Sequence, residues 1–209
     1  AVRSANDAAT AIAEAIEGSE AAFARRMNRT ALALGMTRTT FRNAHGLTED
    51  GHLSTARDMT ILGRRLIYDY SEYYNIFSRL EADAQIARVR NTNRAVLTSY
   101  AGADGIKTGY TRAAGFNLVA SARRGQERVI ATVFGGQSAA WRNQRIMELL
   151  DLGFAEAPSN APLRIPALPT YDGLPAGRTT RPSGAVERSL RPVPRPRDAA
   201  PSAPPPADL

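Results

Sequence analysis

The chain has 209 residues, a formal net charge of +7 and no cysteine. The lack of cysteine excludes disulfides and thiol catalysis, and the presence of only two histidines argues against a histidine-rich metal site. No apolar run approaches the roughly 18 residues that a membrane-spanning helix needs. We therefore expect one domain with its own core, and neither a metal nor another cofactor.

The basic excess is spread along the chain. Residues 1–157 carry 20 basic and 16 acidic side chains, and residues 158–209 carry 7 and 4. Nucleic-acid-binding domains usually concentrate positive charge in one stripe with aromatic platforms, so we predict no nucleic acid partner. A generally basic surface instead suits weak attraction to an anionic polymer such as a cell wall.

Helical patterns come first in the chain. Apolar residues at helical spacing predict helices over residues 6–17, 19–34 and 55–68, with Gly35 ending the second. Strand patterns follow at residues 85–90, 105–111, 116–122 and 128–134, and a final helix is predicted over residues 138–152. This order predicts an α+β fold, with a helical subdomain followed by an antiparallel sheet and a terminal helix.

A change in composition marks a boundary near Pro158. All 13 prolines lie at or after this position. We therefore divide the chain into a domain over residues 1–157 and a Pro/Arg-rich segment over residues 158–209. The second segment has few large apolar residues and little periodicity, which predicts a disordered tail or linker without regular structure. A proline-rich recognition motif is the alternative.

Two short motifs point to chemistry. Lys107 is the single lysine among 27 basic residues, and it begins the triplet Lys107-Thr108-Gly109 in a predicted strand. A lysine ammonium is compact and its pKa is easily shifted, so a position that keeps lysine against such a bias is a candidate for chemistry that arginine cannot do. Ser4-Ala5-Asn6 stands where the first helix begins. Together the two motifs match two of the three sequence signatures of penicillin-interacting serine enzymes.

From Val2 to about Phe154 the chain resembles the penicillin-binding domain of serine-type D-alanyl-D-alanine carboxypeptidases, the low-molecular-mass penicillin-binding proteins. Further matching segments are Gly18-Ser19-Glu20, Ala33-Leu34-Gly35-Met36, His45-Gly46-Leu47 and Ser54-Thr55-Ala56-Arg57-Asp58-Met59. The resemblance implies a β-lactamase/penicillin-binding-protein-like α+β fold, incomplete at its N-terminus.

The resemblance also implies roles for particular residues. Ser4 would relay a proton toward the leaving D-alanine, and Lys107 would present a cation to the nucleophile and to the substrate carboxylate. Asn6 would hold the penultimate amide of the substrate.

Four further residues would bind substrate. Thr108 would hydrogen-bond the terminal carboxylate, Gly109 would let the substrate backbone lie against the strand, and the N–H of Tyr110 would form half of an oxyanion hole. Arg142 would bind the same carboxylate through its guanidinium fork.

Each of these residues also has a purely structural interpretation. Ser4 and Asn6 are common at helix starts and could be caps. Gly109 could mark a strand bulge, and Arg142 could be a solvated helix residue. We interpret His45 as a structural hydrogen-bonding residue, since the family does not use histidine for catalysis.

The chain departs from the family pattern in one respect. The family's nucleophile is the serine of Ser-x-x-Lys, but Asp104 stands three residues before the only lysine. We expect the missing N-terminal segment of the domain to carry that motif upstream of Ala1, and we interpret Ala1 as a processing or truncation point. The chain alone is therefore expected to be inactive, because covalent catalysis needs the nucleophile.

The sequence leaves functions of different classes open. The first is a serine-type carboxypeptidase that removes the terminal D-alanine from peptidoglycan stem peptides through an acyl-enzyme, and that binds β-lactams. The second is a noncatalytic peptidoglycan-binding remnant. Other serine penicillin-interacting enzymes are a β-lactamase, whose Glu-x-x-Leu-Asn motif is absent here, and a DD-endopeptidase. The resemblance places the protein in the bacterial periplasm, with membrane association in the full-length form.

Overall fold

The structure, a computed structural model, describes residues 1–158, 162–171 and 174–175. Its first half is helical, with α1 at Asn6–Glu17, α2 at Glu20–Ala33 and α3 at Ala56–Asp69. Gly18 ends α1 at a φ of 77°, and the Ser19 hydroxyl then accepts a hydrogen bond from the N–H of Ala22. A left-handed glycine followed by a capping serine explains the break between the two helices. All three predicted helices are confirmed.

The connection from α2 to α3 is fixed by a buried carboxylate near the start of α3. Asp58 Oδ2 accepts hydrogen bonds from the N–H of Arg38 at 2.9 Å and from the Thr39 hydroxyl at 2.6 Å. Burial raises the pKa of Asp58, but these hydrogen bonds and one from Thr55 outweigh it, so the pKa lies below its ordinary value. The carboxylate therefore ties the connecting segment to the helix in its charged form.

Short elements join the helical half to the sheet. They are a 3-10 helix at Tyr74–Ser78, the antiparallel strands β1 at Glu81–Asp83 and β2 at Arg88–Arg90, and α4 at Arg94–Ser99. The strand predicted over residues 85–90 is confirmed only in its second half. Helix α4 was not predicted, because six residues are too few to show helical periodicity.

The main sheet has three antiparallel strands in the order β3–β4–β5. They span Ala103–Thr111, Gly115–Arg124 and Glu127–Gly136, and α5 follows at Ala139–Glu156. The three predicted strands and the terminal helix are therefore confirmed. In the described part of the chain, the outer edges of β3 and β5 pair with no further strand.

Helices cover both faces of this sheet. Leu118 and Ala120 of β4 pack with Ile146 and Leu150 of α5 in the core, which also takes in Val96 of α4. On the opposite face Gly63 of α3 lies so close to the sheet that a Cβ there would meet Ile106 at 3.0 Å and Val119 at 3.1 Å. Successive strand residues point to opposite faces, so β4 serves both helices.

The described residues after α5 return to the helical half. The guanidinium of Arg65 donates to the carbonyl of Ala167 at 2.6 Å, and Arg64 donates to the carbonyl of Arg164. The short strands β6 at Thr170–Tyr171 and β7 at Leu174–Pro175 pair with each other. The prediction that no regular structure follows residue 157 is therefore wrong at the four residues of β6 and β7, because their backbones pair with each other. The carbonyls of the residues before them are bound by arginine side chains of α3.

The remainder of the predicted tail, residues 159–161, 172–173 and 176–209, lies outside the described residues. The boundary drawn at residue 157 stays a prediction. None of the helices within the described ranges has the length and apolar character needed to cross a membrane.

Candidate active site

Ser4 and Lys107, which are 103 residues apart in sequence, lie in direct contact. Lys107 lies on β3, and its ammonium donates a hydrogen bond of 2.7 Å to the Ser4 hydroxyl. Ser4 has a φ of 64°, in the left-handed region that residues other than glycine rarely adopt. Such strained positions cluster at functional sites. The predicted proximity of the two residues is confirmed.

Lys107 is held by neutral partners. Besides Ser4, its ammonium donates to the carbonyl of Thr108 at 2.7 Å. Burial lowers the pKa of Lys107 below its ordinary value, and the positive charge of Arg142 lowers it further. No carboxylate of the described residues forms an ion pair with Lys107, so its charge is available to an anionic ligand.

Arg142 is the second cation of the site, and it is buried, with 6% of its surface exposed. It lies in the first turn of α5, whose start is capped by the Ser138 hydroxyl. Its guanidinium donates to the Asn143 side-chain oxygen at 2.7 and 3.1 Å and to the Asn117 carbonyl at 3.3 Å. The solvated interpretation is therefore wrong. The structure describes no acidic partner for this buried charge, and an anion binding nearby would stabilise it.

Thr108 makes a contact that the sequence did not predict. Its hydroxyl donates a hydrogen bond of 2.7 Å to the hydroxyl of Thr92, which lies between β2 and α4. Thr92 lies in the triplet Asn91-Thr92-Asn93, directly after a predicted strand. The two asparagines beside the threonine are the sequence feature that could have indicated a residue of the site here.

Gly109 and Tyr110 are exposed residues near the C-terminal end of β3. A Cβ at Gly109 would meet only the Asn117 Cβ, at 3.9 Å, so packing within the protein does not require glycine there. The register between β3 and β4 runs without interruption from Gly105 to Thr111, so the bulge interpretation of Gly109 is wrong. Tyr110 is 57% exposed, and the centroid of its ring lies 4.4 Å from that of the Phe116 ring.

The capping interpretation of Ser4 and Asn6 is also wrong. Ala5 occupies the N-cap position of α1, and no side chain caps this helix. Asn6 is the first helical residue and is exposed beside Ser4. His45 accepts a hydrogen bond from the N–H of Leu47 at 3.1 Å and lies 3.5 Å from a Glu20 oxygen, as its structural interpretation predicts.

Together these residues build one site, which we call the groove, and we call its two sides the walls. The Ser4 to Asn6 segment forms one wall, and β3 with the start of α5 forms the other. Two cations without acidic partners and several hydroxyl groups line it, which suits a ligand that ends in a carboxylate. A serine hydroxyl bonded to an ammonium can also pass a proton to a leaving group.

Comparisons with known proteins identify the family. The family model of D-alanyl-D-alanine carboxypeptidases matches residues 1–138. D-alanyl-D-alanine carboxypeptidase DacF of Bacillus subtilis is 42% identical over 161 residues, which are 75% of this chain and 41% of that protein. The chain thus spans about two fifths of the length of the curated relatives it matches.

Solved structures show the same fold. Penicillin-binding protein 5 of Haemophilus influenzae matches with a TM-score of 0.69 and 38% identity, over 73% of this chain and 44% of that one. Penicillin-binding protein D2 of Listeria monocytogenes, in its cefotaxime-bound form, matches with a TM-score of 0.67 and 37% identity, over 72% and 62% of the two chains. The predicted penicillin-binding-protein-like α+β class is confirmed.

Proposed function

Because the chain belongs to the D-alanyl-D-alanine carboxypeptidase family, we propose that it supplies the proton relay and the substrate-binding wall of a serine-type D-alanyl-D-alanine carboxypeptidase. The whole enzyme removes the terminal D-alanine from peptidoglycan stem peptides. The hydrogen bond from Lys107 to Ser4 carries this proposal, because it brings the two motifs into direct contact.

The reaction that we propose proceeds through an acyl-enzyme. The oxygen of a serine in an upstream Ser-x-x-Lys segment attacks the carbonyl carbon of the penultimate D-alanine, and the proton of that serine passes into the relay that contains Ser4. The bond from that carbon to the leaving nitrogen breaks, and Ser4 passes a proton to the nitrogen, which departs with the terminal D-alanine. Water then hydrolyses the ester and restores the serine hydroxyl.

The residues of this chain bind and polarise the substrate in this scheme. Lys107 and Arg142 attract the terminal carboxylate, and Thr108 contributes a hydroxyl to the same end. Gly109 leaves room for the substrate backbone, and the N–H of Tyr110 stabilises the charge that develops on the carbonyl oxygen. Asn6 holds the penultimate amide of the substrate through its side chain.

β-Lactams are the second proposed class of ligand. Penicillins and cephalosporins also carry a carboxylate next to a reactive carbonyl, so the same two cations and the same strand would hold them. The Listeria relative was solved in a cefotaxime-bound form. A β-lactam would acylate the same serine as the peptide.

The surface of α1 supports an upstream partner segment. Ile12 and Ile16, on this helix, are 58% and 51% exposed. Exposed apolar side chains on one helix favour a covering element. We propose that the segment carrying Ser-x-x-Lys covers them in the whole protein, which works in the periplasm of a bacterium and associates with the membrane.

A noncatalytic role in binding the wall is the second candidate. The observation that favours it is that Lys107 and Arg142 have no acidic partner among the described residues, so they could bind a carboxylate whether or not a reaction follows. The same cations and hydroxyls would then hold a peptide carboxylate without turnover.

Labelling by a fluorescent penicillin separates the two functions. We expect the full-length protein to become covalently labelled and residues 1–209 alone to remain unlabelled, because the nucleophile lies upstream. A full-length protein that binds a D-Ala-D-Ala peptide without labelling or hydrolysis would support the noncatalytic role instead. Labelling of residues 1–209 alone would show that the nucleophile has been misplaced.

A further inference from the structure

Aromatic side chains lie in a row at the end of the sheet that carries the second wall of the groove. Tyr110 of β3 pairs with Phe116 of β4, and Phe116 pairs with Gly136 of β5. Directly paired residues of antiparallel strands have their side chains on the same face of the sheet. The rings of Tyr110 and Phe116 are 4.4 Å apart between their centroids. Gly136 has no side chain, so the position beside Phe116 on β5 is open to a ring from another element.

Trp141, in the first turn of α5, supplies that ring. A Cβ at Gly136 would lie 3.2 Å from Cε3 of the Trp141 ring and 3.1 Å from the Arg142 Cβ. The glycine thus lets the tryptophan and the arginine approach the sheet on the face that carries Phe116. We call Tyr110, Phe116 and Trp141 the aromatic row.

The described residues leave much of the aromatic row open to solvent. Trp141 is 45% exposed and Tyr110 is 57% exposed. Exposed apolar side chains that lie together mark a binding surface, whereas single ones need no explanation. The row also continues the carboxylate-binding part of the groove, because Arg142 directly follows Trp141 and Lys107 lies on the same strand as Tyr110.

Distances along β3 indicate which part of a substrate would reach the row. In the proposed function the terminal carboxylate lies at Lys107 and Arg142, and the carbonyl of the bond to be cleaved lies at the N–H of Tyr110. The peptide therefore runs from Lys107 toward the turn after β3. An extended chain advances about 3.3 Å per residue, so the third residue from the C-terminus lies roughly 7 Å from the terminal one. The three steps from Lys107 to Tyr110 span roughly 10 Å, so that third residue arrives beside Tyr110.

We propose that the aromatic row is a subsite for the side chain of the third residue from the C-terminus of the substrate, and that it selects a long aliphatic side chain there. This inference rests on the proposed function and deepens it, because it adds a requirement beyond the two terminal D-alanines. A four-carbon side chain buries part of its surface against the rings, whereas glycine has no side chain to bury.

The test compares two peptides on the full-length protein, acetyl-norleucyl-D-Ala-D-Ala and acetyl-glycyl-D-Ala-D-Ala. We expect kcat/KM for the norleucyl peptide to be about tenfold higher, as for two methylene groups removed from water. Trp141→Ala should reduce this preference to about threefold or less, and Trp141→Phe should keep most of it, because a phenyl ring still offers an apolar face. The preference is a ratio measured on one protein, so it does not depend on how much of a variant is folded.

Tyr70→Ala is the matched control for the peptide comparison. Tyr70 follows α3 and is an aromatic residue with 58% exposure, outside the aromatic row. This variant should keep the full preference. Equal kcat/KM values for the two peptides on the wild type, or a preference that Trp141→Ala leaves unchanged, would overturn the inference. An equal loss of preference in Tyr70→Ala would overturn it too.

Quenching by acrylamide tests whether the upstream segment covers the row instead of a substrate. Trp141 is the single tryptophan of these 209 residues, so the difference in emission between the wild type and Trp141→Phe isolates its signal. We expect acrylamide to quench this signal in the full-length protein and the norleucyl peptide to protect it. A ring that acrylamide cannot reach in the absence of peptide would overturn the inference.

The same emission keeps this inference separate from the proposed function. Absent hydrolysis, with the norleucyl peptide changing the Trp141 signal at about tenfold lower concentration than the glycyl peptide, would refute the enzyme and leave the inference standing. Normal hydrolysis without a preference would refute the inference alone. A wild type that neither hydrolyses nor binds either peptide would refute both.

Discussion

The two walls of the groove are built differently. On one wall, Ser4 and Asn6 are exposed. Ser4 has a positive φ, and Asn6 begins α1, a helix that no side chain caps. On the other, Lys107 lies within a paired strand and Arg142 is buried in the first turn of α5. The proposed proton relay thus lies on an exposed segment, whereas the charges proposed to bind substrate lie on a paired strand and at a buried helix start. In the proposed reaction, the strand and the helix start position the two charges in advance of substrate binding.

Ser4→Ala, on the first wall, should have the largest effect on the rate of peptide hydrolysis and little effect on folding. Loss of a positioned proton relay lowers acyl transfer by about 10²- to 10⁴-fold. The thermal midpoint should remain near that of wild type, because the side chain is exposed. Peptide hydrolysis by the full-length protein is the measurement, with Ser99→Ala on α4 as the control. Hydrolysis within tenfold of wild type would remove Ser4 from the relay.

Lys107→Arg, on the second wall, should slow acylation although it keeps the positive charge. The planar guanidinium is bulkier than an ammonium and would displace the nucleophile or the substrate carboxylate. We expect fluorescent penicillin labelling of the full-length protein to slow by roughly 10²- to 10³-fold, as for a lost transition-state contact. Arg145→Lys, the reverse exchange at an exposed position of α5, should label normally. Near wild-type labelling of Lys107→Arg would refute its role.

Much of this comparison could be predicted from the sequence, but not all of it. Lys107 and Ser4 were identified because the motifs are local and one of them contains the only lysine. The burial of Arg142 depends on how α5 packs on β4, and periodicity could not distinguish it from a solvated helix residue. The contact of Thr92 with Thr108 joins residues 16 apart across two elements. Helix α4 between them was too short to be predicted.

Arg142→Gln tests the electrostatic effect of Arg142 on Lys107 within the second wall. The positive charge of Arg142 lowers the pKa of Lys107, so its removal should raise that pKa. If labelling requires protonated Lys107, the alkaline limb of the rate then moves to higher pH, while the rate itself falls roughly tenfold for the lost carboxylate contact. The pH profile of labelling is the measurement. A limb that stays in place or moves to lower pH would contradict the proposed coupling.

Asp58→Asn should have the smallest effect, on stability alone. The pKa of Asp58 is lowered in the folded state, so its contribution is present above the unfolded pKa and is lost as the pH falls through the folded one. The variant should unfold about 1 kcal/mol more easily at neutral pH, and its deficit should shrink in acid. Urea unfolding of residues 1–209 at several pH values measures this. A deficit that does not change with pH would exclude the charge as the cause.

The single lysine has a consequence for labelling chemistry. An acylating reagent that attacks amine side chains has one target within these 209 residues, Lys107, because all other basic side chains are arginine or histidine. Since the pKa of Lys107 is lowered, a larger share of its side chain is the nucleophilic free amine at a given pH than for an ordinary lysine. The extent of modification at this one position therefore reports directly whether the groove is occupied, without any engineered probe.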